Sequence, residues 1–204
     1  MTRFTGDRSL AYELAGAGDP PLVFVHGWGC DRTFFEPQFR HFAARHAVAA
    51  LDLRGHGESR PGLSYDAEAL ADDVLTVAAD AGLHRPVVVG HSLGGLIALA
   101  CAARPDAVRA AVLVDPSPVL NGPGKAIFTR SVADVASDQD GSWRAALVAG
   151  LFGPHDTARR AETIAGVDAV PLPVAVGTWR AMADFDGAAV LPRVNVPEIG
   201  SAHV

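Results

Sequence analysis

The segment 87–99, VVVGHSLGGLIAL, sets one hydroxyl between glycines at the point where an apolar run gives way to small residues. Gly90-His91-Ser92-Leu93-Gly94 is a G-x-S-x-G pattern between an expected buried strand and an expected helix. A serine held in such a tight strand-to-helix turn has strained backbone geometry and an exposed oxygen, the arrangement of a nucleophile elbow. The flanking glycines have a steric reason: a side chain at 90 or 94 would collide with the neighbouring strand or with the start of the helix. Gly95 and Ala98 let that helix lie close to the sheet. By position the amide of Leu93 opens the helix and points at a developing oxyanion, with the helix dipole behind it. A plain tight turn would also place glycines here, and the strand-to-helix context favours the nucleophile.

A serine hydroxyl reacts only when a general base takes its proton, and the base needs an acid partner to hold its tautomer. His91 precedes the nucleophile and should point away from its oxygen. His41, His46 and His84 fall on or beside outer helices, and His155 lies in a later irregular region. Cys30 and Cys101 sit in segments of different character without metal-ligand spacing, which reads as free thiols. The net charge of −6 over 204 residues is spread along the chain. It suggests neither a nucleic-acid groove nor a basic membrane-binding face, and a small-molecule partner is expected. MTRFTGDRSL lacks the apolar core of a secretory signal, and the longest apolar stretch, 96–103, is too short to span a bilayer, so a cytoplasmic location is expected.

The elements that must position Ser92 follow from periodicity. Phe4 and 10–14 flank a turn-like Thr5-Gly6-Asp7, an expected hairpin. LVFVH (22–26), AVAALD (47–52) and PVVVGH (86–91) are short continuous apolar runs of the kind that doubly covered strands show, and RAAVLVD (109–115) is a fourth. Between them, Phe35, Phe39, Phe42 and Ala43 recur at helical spacing within 32–45. Asp66 caps a helix ending at Gly82, and 93–104 reads as a helix rich in small residues. Strands alternating with helices imply an α/β fold with a parallel sheet covered on both faces. From 116 to about 186 the rhythm breaks into Pro- and Gly-rich stretches (116–124, 171–173), helix-like pieces near 127–135 and 143–152, and the aromatics Phe128, Trp143, Phe152, Trp179 and Phe185. These aromatics either line a pocket or pack the insertion's own core, and for any one of them the core is favoured. A return to the sheet over 191–199 is expected, weakened by Pro192 and Pro197.

His26-Gly27-Trp28-Gly29, LDLRGHGES (51–59) and GHSLGG (90–95) resemble, in order and spacing, the three signature stretches of the α/β-hydrolase superfamily. The resemblance implies an α/β-hydrolase fold with a core over 1–115, a helical cap over 116–186 and a return to the core over 187–204. It assigns the second oxyanion amide to Trp28, beside Leu93, and places Trp28 and His91 against the substrate. His26 would brace the loop, while Arg54, His56 and Glu58 would fix the turn after the second core strand. Serine at position 92 argues against the epoxide hydrolases and haloalkane dehalogenases of the fold, which attack with aspartate. It points to acyl chemistry: ester, lactone or thioester hydrolysis, cleavage of carbon–carbon bonds beside a carbonyl, acyl transfer, or perhydrolysis. No metal or organic cofactor is implied.

In this family the acid follows the strand after the cap and the histidine follows the next strand. Two readings of this chain compete. Either 198–204 is the acid-bearing strand cut short, or Gly200-Ser201-Ala202-His203 is the family's Gly-x-x-His turn and His203 is the base. Asp115, at the end of the fourth strand, occupies a place where some members carry the acid, and it also suits a plain capping role. Losing the base of such a triad costs on the order of a millionfold in turnover. The enzyme reading, a serine hydrolase acting on a small apolar ester through Ser92, therefore stands beside a second: an impaired member of the fold that binds a small ligand or a partner. An open sheet edge is expected to be completed by a homodimer.

Overall fold

The computed structural model describes residues 1–7, 9–116, 122–153, 155 and 157–201. Its seven strands are β1 (Arg3–Phe4), β2 (Ala11–Ala15), β3 (Leu22–Val25), β4 (Val48–Leu51), β5 (Val87–His91), β6 (Ala110–Val114) and β7 (Glu198–Ser201), in the spatial order β1-β2-β4-β3-β5-β6-β7. The N-terminal hairpin is antiparallel and β2 lies antiparallel to β4. From β4 to β7 every pairing is parallel.

Alternation along the strands divides the core in two. Leu22, Phe24, Val48 and Ala50 face Phe35 and Phe39, which come from a 3-10 turn (Arg32–Phe35) and helix α1 (Glu36–Phe42). Val23, Val25, Ala49 and Leu51 face the opposite way, into a larger cluster with Leu70, Val74 and Val77 of α2 (Ala67–Asp80) and Leu96, Ile97 and Leu99 of α3 (Leu93–Ala102). Both faces are thus covered, which is why these strands read as unbroken apolar runs. Helix α2 starts where expected: the Asp66 carboxylate accepts from the Ala69 amide at 2.8 Å. It also stops where expected, because Gly82 takes φ +69° while the Leu83 amide donates back to Ala78. The segment expected as one helix over 32–45 is divided, its first turn being 3-10.

Four cap helices lie between β6 and β7: α4 (Gly122–Ser137), α5 (Ser142–Leu151), α6 (Thr157–Ala169) and α7 (Leu172–Asp184). Two of them, α6 and α7, are not among the helix-like pieces expected from the sequence, and the Pro-rich stretch 171–173 opens the second. Pro171 instead precedes α7 and Pro173 occupies its first turn, where a missing amide proton costs nothing. Trp179 stacks on Phe128 and meets Trp143 edge-on, and these aromatics pack into the apolar cluster that the cap shares with the sheet. The expected strand over 191–199 is shorter than its apolar run: α8 (Gly187–Val190) and a 3-10 turn (Leu191–Arg193) come first, and β7 begins after Pro197. Cys30 and Cys101 are free thiols. Among the described residues no helix is long and apolar enough to cross a membrane.

Candidate active site

Ser92 sits between β5 and α3 with φ +51° and ψ −114°, a region that non-glycine residues avoid. Its amide is tied to the Val114 carbonyl of the next strand at 3.0 Å, and its carbonyl accepts from Gly95 at 2.9 Å. The glycines are enforced by backbone: a Cβ on Gly90 would strike the carbonyl of Gly94, and one on Gly94 would strike the carbonyls of Val25 and His26. The start of α3 therefore lies directly against the end of β3. Leu93 is the first residue of α3, so its amide has no acceptor inside the helix.

Because β3 pairs with β5 through Val25 and Gly90, the chain leaves β3 beside Ser92. It turns at 27–30, closed by a bond from the Cys30 amide to the Gly27 carbonyl at 3.2 Å, with Trp28 inside the turn. His26 holds this turn from below. It is fully buried, its Nδ1 lies 2.8 Å from the Gly27 carbonyl, and its Nε2 accepts from the Leu53 amide at 3.0 Å. Those partners require the neutral Nδ1–H tautomer. Burial pushes the His26 ring down to about 4, so it is neutral in the folded chain near neutrality.

The turn after β4 is fixed by charge. Arg54 forks onto Asp73 of α2 and reaches the carbonyls of Ala69 and Ser64. Glu58 pairs with Arg32 at 2.7 Å. The buried Asp52 carboxylate accepts from the amides of Arg32 and Glu58 and pairs with the Arg32 guanidinium. Arg32 and Asp52 are missing from the sequence reading, since nothing local marks a pair twenty residues apart. His56 is buried beside His26, ring centroids 5.2 Å apart, and burial pushes it down to about 3.

His91 is half-buried, its ring stacked on Phe34 at 4.8 Å. Its Nδ1 has no hydrogen-bond partner among the described residues and lies 2.8 Å from where a Cβ on Gly27 would be. Burial lowers its pKa, opposed by the charge of Asp115. Asp115 is exposed, has φ +50°, and follows the His91–Val114 pair, so it stands next to Ser92 on the neighbouring strand. Beyond it, Val114 pairs with Ser201 of β7 at the same edge of the sheet. His203 lies outside the described residues. The indole of Trp28 is buried and bonds to the Ala175 carbonyl of α7 at 3.0 Å. Among the described residues, two open concavities of about 430 Å³, between α5 and α6, and about 510 Å³, beside His84 and Arg85, involve neither Ser92 nor Trp28. No cluster of three or more metal-ligating side chains is found among the described residues.

The chain is similar over 114 residues, at 43% identity, to the pimeloyl-[acyl-carrier protein] methyl ester esterase of Chromobacterium violaceum, covering 54% of this chain and 42% of that protein. Over 102 residues it is 38% identical to ethanol acetyltransferase 1 of Wickerhamomyces anomalus, covering 48% of this chain and 26% of that protein. Each match spans less than half the length of the relative. A hydrolase structure from Pseudomonas aeruginosa PA01 superposes with a TM-score of 0.85 at 28% identity, covering 99% of this chain and 79% of that one. The profile of the alpha/beta hydrolase fold matches residues 20–180, and the chain belongs to the alpha/beta hydrolase family.

Proposed function

We propose that the protein is a serine hydrolase acting on a small, largely apolar ester or related carbonyl compound. The observation that carries this is Ser92 itself, held at φ +51° between a strand and the first free amide of α3. Ser92 Oγ attacks the carbonyl carbon while its proton passes to a base, and the amides of Leu93 and Trp28 receive the oxyanion. Collapse of the tetrahedral species expels the alcohol, which takes the proton from the base. Water then repeats the sequence on the acyl-enzyme and releases the acid. His203 is proposed as the base and Asp115 as its acid partner. The stacked pair of His91 and Phe34 is proposed as the wall that meets the acyl group. The likeness to an acetyltransferase supports a second reading within the same chemistry, in which an alcohol replaces water at the acyl-enzyme.

The test is treatment of the folded protein with a fluorophosphonate followed by intact-mass measurement, with Ser92→Ala as control. One adduct per chain on the parent and none on the variant is expected. Folded parent without an adduct overturns the proposal and fits instead a protein that binds a small ligand or partner.

A further inference from the structure

The two amides proposed to receive the oxyanion are held by different parts of the molecule. Leu93 is fixed by the core alone, through the bond from the Ser92 amide to Val114 and the bond from Gly95 to the Ser92 carbonyl. The turn that carries Trp28 is held by His26 on one side and by the cap on the other. Trp28 Nε1 donates to the Ala175 carbonyl in the first half of α7, 147 residues away in sequence. Its ring meets Trp179 of the same helix edge-on at 4.8 Å. Gly29, at φ +72°, lies directly beneath Val167 of α6, and its carbonyl lies 3.2 Å from where a Cβ on Gly166 would be. Arg159 of α6 donates to the Phe34 carbonyl at 3.1 Å, and Phe34 carries the His91 ring.

We infer that the Trp28 indole is a positioning group through which the cap, chiefly α7, sets the Trp28 amide, so that the cap completes the oxyanion site. A buried indole N–H seeks one specific acceptor, and a ring with two side-chain torsions locked at both ends leaves its own main chain little freedom. Displacing the cap would then loosen one oxyanion donor while the strained serine and the Leu93 amide stay in place. This inference rests on the reading of Ser92 and the two amides as a hydrolytic site.

Trp28→Phe keeps the main-chain amide and an aromatic ring and removes the N–H together with the five-membered half of the indole. Val167→Ala trims the cap above Gly29 and serves as the second variant should the first fold poorly. Two readouts are needed. One is the rate of Ser92 phosphonylation at saturating fluorophosphonate, together with the half-saturating probe concentration. The other is hydrogen exchange of the amides at 28–30. A misplaced donor lowers the saturated rate about tenfold to a hundredfold and leaves half-saturation unchanged, while the turn amides exchange at least about tenfold faster. Phosphonylation of Trp28→Phe at the parent rate overturns the inference and leaves the reading of Ser92 intact. Absence of labelling on folded parent overturns that reading and with it the role given to the Trp28 amide, whereas turn amides as protected in Trp28→Phe as in a labelled parent overturn the inference alone.

Discussion

Mild acid should destabilise this protein by favouring an unfolded chain in which two histidines that the fold keeps neutral can take up protons. His26 and His56 start from an ordinary value of 6.5 and are pushed by burial to about 4 and about 3. Between those limits the unfolded chain binds protons that the folded chain refuses, so stability is present above 6.5 and is lost as pH falls toward 4. Going from about pH 7 to about pH 5 removes about 2 kcal/mol for each ring and about 4 kcal/mol for the pair. That is a large share of the roughly 5–15 kcal/mol of a typical domain. Geometry gives the same answer: a protonated His26 would present a donor to the Leu53 amide, itself a donor, and the support under the turn at 27–30 would fail. Asp52 and Asp73, whose pKa values burial raises, act in the opposite sense and offset part of the loss at the acid end. The assay is urea unfolding at half-unit pH steps, read as the free energy in water. His56→Gln, with an amide left to reach the Arg54 carbonyl that Nδ1 now contacts at 3.2 Å, should lose only about 2 kcal/mol over the same span. A flat parent profile between pH 7 and pH 5, or a variant as steep as the parent, refutes the reasoning.

Two further outcomes follow from strain and from buried charge. Ser92→Gly removes a side chain from φ +51° and should raise the denaturation midpoint by the equivalent of about 1 kcal/mol, strain relief exceeding the added freedom of the unfolded chain; a lower midpoint would show that the turn is unstrained. In the cap, Asp138 is almost fully buried, pairs with Arg144 at 2.9 Å and accepts from the amides of Trp143 and Arg144. Asp138→Ala leaves a buried guanidinium without its counter-charge, with only the Val167 and Val170 carbonyls to accept from it, and should cost about 3–5 kcal/mol in calorimetry or denaturant unfolding, with Asp138→Asn losing less because it still accepts from an amide.

Most of the core was legible because its determinants are local. The strands announce themselves as short apolar runs, Asp66 and Gly82 bracket their helix, and the glycines around Ser92 are demanded by contacts within a few residues or with the next strand. The cap was legible only in part. Helix α6, TARRAETIAGVDA, buries little beyond Val167 and so shows weak periodicity, and α7 opens with prolines that look like a loop. Pairs such as Arg32 with Asp52 or Trp28 with Ala175 leave no local mark, because each member is an ordinary residue until the fold brings its partner.

The same division runs through the site. The Leu93 half of the proposed oxyanion pair depends on residues 90–95 and the end of β3, so a short sequence specifies it and a cap change should leave it alone. The Trp28 half depends on α7, whose sequence is free to vary wherever the Ala175 carbonyl and the Trp179 ring are kept in place. A substitution on the exposed face of α7 should therefore be silent, whereas one that rotates or shifts the helix should slow acylation without touching Ser92. If the proposed roles hold, placing one donor under cap control gives a route by which whatever orders the cap over a substrate also completes the second donor for its carbonyl oxygen.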